Sequence, residues 1–297
     1  MPVDLMIVGS QKSGTTSLLA YLARHPAITA QIRPEMTWFS DADLAGRPFP
    51  TDFYFGADVG DGRLRLGKLA GLMYHAEAVR RLREHNPTVR TIAILREPVG
   101  RAYSSYWHAR RRGHEPIETF EDAIHASADR FGDARNVERW DYLGWSSYAP
   151  YIERLQETFG ADAVHVAIFE EFAADPATTV VPLLASCGLD GAGLGRDMPS
   201  ENSGGRARSK VLSRLSTHPA VKDVTRRLLP MSIRAAFRRQ YRRVNEVGFR
   251  PPPIGAGVER ELRIYFEEPN ARLEALIGRP IQAWREGAAR EVDAPDD

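Results

Sequence analysis

Short uninterrupted apolar runs alternate along this chain with stretches whose apolar positions return every three or four residues. Leu5 to Val8, Thr91 to Leu95 and Ala163 to Phe169 read as buried strands, and Arg63 to Lys68 as a short strand of alternating basic and apolar residues. Between them, Thr16 to Arg24 places Leu18, Leu19 and Leu22 on one helical face, and the helix stops before Pro26. Further helices are predicted to begin at Tyr74-His75 and at Pro98, and to run from Gly144 and Tyr148 to about Phe159-Gly160. Another starts where Asp175 can cap and Pro176 can occupy the first turn. A last helix spans Glu259 to Ile277 and ends at Gly278. Strands and helices in alternation predict an α/β fold, with a doubly wound parallel sheet covered on both faces. Residues 41–62 are rich in Gly, Pro and Asp and read as a loop carrying Phe49, Phe53, Tyr54 and Phe55.

The junction of the first strand and first helix carries the chemistry. Gly9-Ser10-Gln11-Lys12-Ser13-Gly14-Thr15-Thr16-Ser17 is a glycine-framed polar loop feeding a helix N-terminus. Backbone N–H groups and the positive end of the helix dipole converge there, and Lys12 adds a full charge, so the loop reads as an anion cradle. A bland alternative is a turn whose glycines serve only the backbone. A Walker A loop would place its lysine directly after Gly14, next to a magnesium-binding hydroxyl. This chain has Thr15 there and its lysine at 12, which argues against nucleotide triphosphate chemistry.

A second signal follows the strand at 91–95. Arg96 lies at the carboxyl end of that strand, where open α/β sheets bind ligands. Pro98 opens the next helix and Ser104 sits two turns in. An arginine fork suits phosphate, although alone it could equally cap a sheet edge. Lysine, small residue, glycine and three hydroxyls, followed later by strand, arginine, proline, helix and serine, resemble sulfotransferases that use 3′-phosphoadenosine 5′-phosphosulfate (PAPS). The similarity is to the heparan-sulfate type and to bacterial members, and it spans roughly residues 3–285. The resemblance implies a single P-loop-like domain over residues 1–297. It assigns Lys12, Ser13, Gly14, Thr15, Thr16 and Ser17 to the 5′-phosphosulfate, and Arg96 and Ser104 to the 3′-phosphate. Aligning Trp38-Phe39 with the family's paired aromatics puts Glu35 on the general base, with Lys12 as the catalytic cation. Pro34, Met36 and Thr37 depart from the family's lysine, proline and histidine. Gly67-Lys68 replaces glycine-glutamate, which admits an anionic acceptor. The aromatics of 41–62 are candidates to line the acceptor pocket, and His75 is either a polar cap or a proton-transfer group.

Composition changes the picture only in the last third. Net charge is +1, so bulk electrostatics do not select a polyanion. Arg206 to Arg243 nevertheless holds twelve Lys or Arg against Asp223 alone, with apolar residues at helical spacing. Lipid or nucleic-acid binding would suit such a stretch. The resemblance instead implies a cofactor-closing loop at 202–210 using Arg206, Arg208 or Lys210, with no nucleic-acid partner and with peripheral membrane contact open. Cys187 is the single cysteine and the apolar runs are short, so a cytoplasmic protein is expected. No metal-ligand spacing is evident, and residues 286–297 read as a frayed tail. The sequence leaves oligomeric state unassigned. A small-molecule kinase and a non-catalytic nucleotide or polyanion binder are the competing readings.

Overall fold

The computed structural model describes residues 2–56, 62–130, 141–191, 194, 205–207, 246–248 and 251–285, with backbone only at 128–130, 205–207 and 246–248. The chain forms two compact units. One comprises Met1–Ala102, Leu143–Pro199 and Glu259–Asp297, the other Tyr103–Tyr142 and Ser200–Val258.

The first unit holds a five-stranded sheet: β1 (Leu5–Gly9), β2 (Ile28–Ala30), β3 (Leu64–Lys68), β4 (Arg90–Leu95) and β5 (Val164–Ile168). Their order is β2-β3-β1-β4-β5, and every pairing is parallel. From β1 the chain passes through α1 (Thr15–Leu22) to β2 at one edge, whereas from β4 it proceeds to β5 at the other. The connections therefore diverge at the carboxyl ends of β1 and β4, which opens the crevice where such sheets take ligands.

Alternation within the strands explains the two covering layers. Leu5 and Ile7 of β1, with Ile92 and Ile94 of β4, pack with Leu18, Tyr21 and Leu22 of α1. Met6, Val8, Ala93 and Leu95 face the opposite layer. There they meet Val79 and Leu82 of the helix Ala76–His85, and Ile152 and Leu155 of the helix Ala149–Phe159. All five residues of β1 are buried, as a central parallel strand requires. Asp175 caps the helix Pro176–Ser186 as the sequence predicts, accepting from the Thr178 N–H.

Of the stretch 41–62 read from sequence as a loop, residues 41–56 are not all loop. They contain a 3₁₀ turn at Ala42–Leu44 and a helix at Thr51–Phe55. Tyr54 and Phe55 are buried in the core and Phe49 packs against it, while Phe53 stays exposed. Three of the four aromatics thus hold the segment down. Tyr54 acts as the clamp: its carbonyl accepts from Ile32 N–H at 2.8 Å and its hydroxyl from Trp38 N–H at 3.1 Å.

His85 joins this cluster, 4.4 Å from the Phe49 ring centroid, and its Nε2 accepts from Val3 N–H at 3.0 Å. Burial first, and the nearby Arg65 charge, push its pKa down to about 4. A depressed histidine favours folding above its unfolded value of about 6.5, and that contribution is lost as pH falls through the folded value. Melting temperature should drop from pH 6.5 to 4. His85→Gln, which can still accept from Val3, should melt lower at pH 7.5 yet show a shallower slope in that window by scanning calorimetry.

In the second unit, the Tyr106 ring packs against Phe120 and Tyr142, and the buried Glu115 accepts from Tyr142 Oη at 2.8 Å and from Ile117 N–H at 2.9 Å. Gly205–Ala207 and Glu246–Gly248 form an antiparallel pair. The remainder of the basic stretch 206–243, predicted as helical, lies outside the described residues, as does the 286–297 tail.

Candidate active site

The loop after β1 is built tightly. Gly9 sits so close to Met73 that a Cβ there would fall 2.1 Å from its sulfur. Gly14 adopts φ +85 and backs onto Phe169, whose ring would be 2.7 Å from an added Cβ. Space thus favours glycine at both positions, and at Gly14 the left-handed backbone does so as well. Lys12 also takes a left-handed conformation, at φ 74. No side chain caps α1 and no acid lies in its first turn, so its leading N–H groups and dipole suit an anion.

The hydroxyls divide by role. Ser10 and Ser13 are fully buried, with their oxygens 2.8 Å apart, and Ser13 N–H donates to the Ser10 carbonyl. Ser13, assigned by resemblance to the donor, therefore shapes the loop from within. Thr15 and Ser17 are buried, whereas Thr16 is half-buried and accepts from Lys68 Nζ at 3.2 Å.

Lys68 is the residue whose role the sequence hid. Its side chain is 5% exposed and its Nζ lies 2.8 Å from Glu35 Oε1, while Glu35 Oε2 accepts from Ala70 N–H at 2.9 Å. The lysine absent at Pro34 is thus supplied from the end of β3. Its charge is matched by Glu35. Gln31 sets the geometry, accepting from Lys68 N–H at 2.6 Å and donating to the Arg33 carbonyl at 2.7 Å. Met36 N–H bonds the Lys68 carbonyl, so 31–36 is laced to the strand end. Glu35 keeps 36% of its side chain exposed. Each carboxylate accepts up to about four hydrogen bonds, so lone pairs remain for a substrate hydroxyl.

Arg96 stands at the end of β4, half-buried, with its guanidinium 5.5 Å from the Phe169 ring centroid and against Gly100. Three groups hold its loop. Tyr148 Oη donates to the Arg96 carbonyl at 2.8 Å, and Glu170 accepts from Glu97 N–H at 3.0 Å and from the Trp284 indole at 2.9 Å. Glu97 accepts from Val99 and Gly100 N–H and so caps the helix Pro98–Arg111. Burial pushes its carboxyl pKa up, partly offset by those N–H donors. Burial likewise raises the Tyr148 hydroxyl, which stays a donor.

The structure thus brings together Lys12, Gly14, Thr16, Glu35 and Arg96 on the sheet's carboxyl edge in the first unit. Ser104 is half-buried on the same helix as Pro98, within the second unit. Arg206 lies on the strand Gly205–Ala207, and Arg208 lies outside the described residues. His75 occupies the N-cap of Ala76–His85 but makes no side-chain cap bond, contrary to the polar-cap reading; its ring lies edge-on to Trp145. Sequence reasoning missed the roles of Lys68, Tyr148, Phe169 and Glu170. Phe169-Glu170 directly follow β5, and that position at a strand's carboxyl end was the available signal. Among the described residues, no cluster of His, Cys, Asp or Glu could hold a metal ion, and no helix is long and apolar enough to cross a membrane.

A parallel sheet with an uncapped helix behind a lysine-bearing glycine loop, and an arginine at the adjacent strand end, defines a P-loop-like α/β protein. Comparison with known proteins sharpens this. Residues 2–192 match the Sulfotransferase domain family, and the chain belongs to that family. It is 27% identical over 187 residues to bifunctional heparan sulfate N-deacetylase/N-sulfotransferase 4 of Mus musculus, covering 59% of this chain and 21% of that protein. It is 23% identical to the human enzyme 3 of the same name, covering 94% of this chain and 30% of that protein. The chain therefore spans under a third of these relatives. The solved sulfotransferase of Alicyclobacillus acidocaldarius shares the fold, with a TM-score of 0.65 and 23% identity, covering 96% of this chain and 99% of that one.

Proposed function

We propose that this chain transfers a sulfuryl group from PAPS to a hydroxyl-bearing acceptor, with Glu35 as general base. The observation that carries the reading is the line Glu35–Lys68–Thr16, in which two hydrogen bonds join an exposed carboxylate to the first turn behind the anion loop. PAPS, when bound, supplies the sulfuryl group and an anionic leaving phosphate. The uncapped, acid-free start of α1 and Lys12 suit its 5′ end, and Arg96 suits its 3′-phosphate. Glu35 accepts the acceptor's proton, while Lys12 balances charge growing on the departing oxygen. Lys68 and Ala70 fix the carboxylate's direction. The acceptor is a small molecule, glycolipid or carbohydrate.

The reading is tested by melting the protein with adenosine 3′,5′-bisphosphate and, separately, with ATP and magnesium. A ligand at a hundred times its dissociation constant adds about 2.7 kcal/mol, which for a chain of this size is roughly 5 °C. The bisphosphate alone should raise the melting temperature, and labelled sulfuryl should pass from PAPS to acceptor hydroxyls. A shift with ATP and magnesium alone would replace this reading with a kinase. No shift with either would leave a non-catalytic binder.

A further inference from the structure

We propose that Glu170 is a positioning residue that aims Arg96 at the ligand's 3′-phosphate, itself held by the C-terminal segment at 279–284. The proposal rests on the PAPS reading above and concerns what fixes the arginine assigned to that phosphate.

The peptide unit between Arg96 and Glu97 lies outside both β4 and the helix Pro98–Arg111. Two side chains take up its polar atoms. Tyr148 Oη donates to the Arg96 carbonyl at 2.8 Å, and Glu170 Oε1 accepts from the Glu97 N–H at 3.0 Å. The plane from which the Arg96 side chain departs is thus pinned on both edges. In that direction the guanidinium lies against Gly100 and 5.5 Å from the Phe169 ring centroid. The same ring backs Gly14 of the anion loop.

Glu170 is itself fixed through its other oxygen. Oε2 accepts from Trp284 Nε1 at 2.9 Å, and Trp284 is buried, so its indole N–H depends on that acceptor. Beside it, Arg279 meets both oxygens of Glu171 at 2.7 Å, a bidentate pair. Glu274 folds the same stretch back, accepting from Ile281 N–H at 2.7 Å. Two donors on two oxygens require a carboxylate at 170. An amide has one accepting oxygen and would turn its own NH₂ against the second donor. An arginine fork holds phosphate through paired bonds that fail when the fork is turned. A change at Glu170 should therefore register at the 3′-phosphate and spare the 5′ end, which Lys12 and the start of α1 serve.

Titration calorimetry on Glu170→Gln should show adenosine 3′,5′-bisphosphate binding weakened about 10-fold. Adenosine 5′-monophosphate, which lacks the 3′-phosphate, should change less than about two-fold. In an Arg96→Ala background the same substitution should cost the bisphosphate less than about two-fold, because the group it aims is gone. Trp284→Phe, which releases one carboxylate oxygen, should reproduce the pattern and serves if the first variant misfolds. Equal weakening of both nucleotides would mean a general structural role and overturn the proposal. So would unchanged bisphosphate binding, or an undiminished loss in the Arg96→Ala background. Failure of the unsubstituted protein to bind either nucleotide would overturn the PAPS reading and this proposal with it.

Discussion

Glu35→Gln lowers turnover by about 10²–10⁴-fold, the range a positioned general base contributes, and leaves bisphosphate affinity within about two-fold. The substitution is nearly isosteric. Its amide oxygen can still accept from Lys68 Nζ, which lies 2.8 Å from Glu35 Oε1, so the buried lysine keeps a partner. The amide nitrogen cannot accept from Ala70 N–H, so one bond of the present arrangement is lost. What disappears is the capacity to take a proton from the acceptor. Steady-state kinetics with saturating PAPS would separate this from a binding defect, since the loss belongs in kcat and not in the donor KM. Activity within a few-fold of the unsubstituted enzyme would remove Glu35 from the base role and leave it as a tether for residues 31–36.

Lys12→Ala is expected to cost about 10²–10³-fold in kcat, the scale seen when one preorganised donor is lost at a developing oxyanion. The backbone makes this a clean test. Lys12 already sits at φ 74, and alanine at that conformation carries the same Cβ penalty, so the exchange adds no strain of its own. Loop shape should persist, because Ser10, Ser13, Gly9 and Gly14 are held by other contacts. Single-turnover measurement would report the chemical step directly. A loss under tenfold would move the charge-balancing role to Lys68, the other lysine placed beside this helix start. Lys68→Met would then be the more damaging change.

The fold was legible because its signals are local. Leu5 to Val8 and Thr91 to Leu95 are unbroken apolar runs, which a doubly covered parallel strand requires, and Asp175-Pro176 states a helix start in two residues. The anion loop was legible for the same reason: its glycines, lysine and hydroxyls are contiguous. Lys68 was not. Its meaning depends on β3 lying beside β1, which brings residue 68 to residues 16 and 35, and no window of sequence contains that pairing. Read by itself it was a basic residue in an acidic residue's place; in the fold it is the buried partner of Glu35. The packing of the aromatics of 49–55 was hidden in the same way, since loop composition does not show a side chain's destination. Tyr148 reads as an ordinary helix start because its bond to the Arg96 carbonyl joins positions distant in sequence.

The Tyr54 clamp has a practical consequence. With Ile32 and Trp38 both pinned to Tyr54, the excursion between the candidate base and β3 is fastened at its root. Its tip is another matter: Ala45, Gly46, Arg47 and Pro48 are exposed, and nothing lies within 4 Å of where a Gly46 Cβ would be. Gly46 itself is unsuited to a side chain because its φ is +74, but a fluorophore attached at exposed Arg47, through a single introduced thiol with Cys187 replaced, would sit on the same excursion as the candidate base's neighbours. That position offers an optical handle for screening acceptors one by one, with no sulfated product to be isolated.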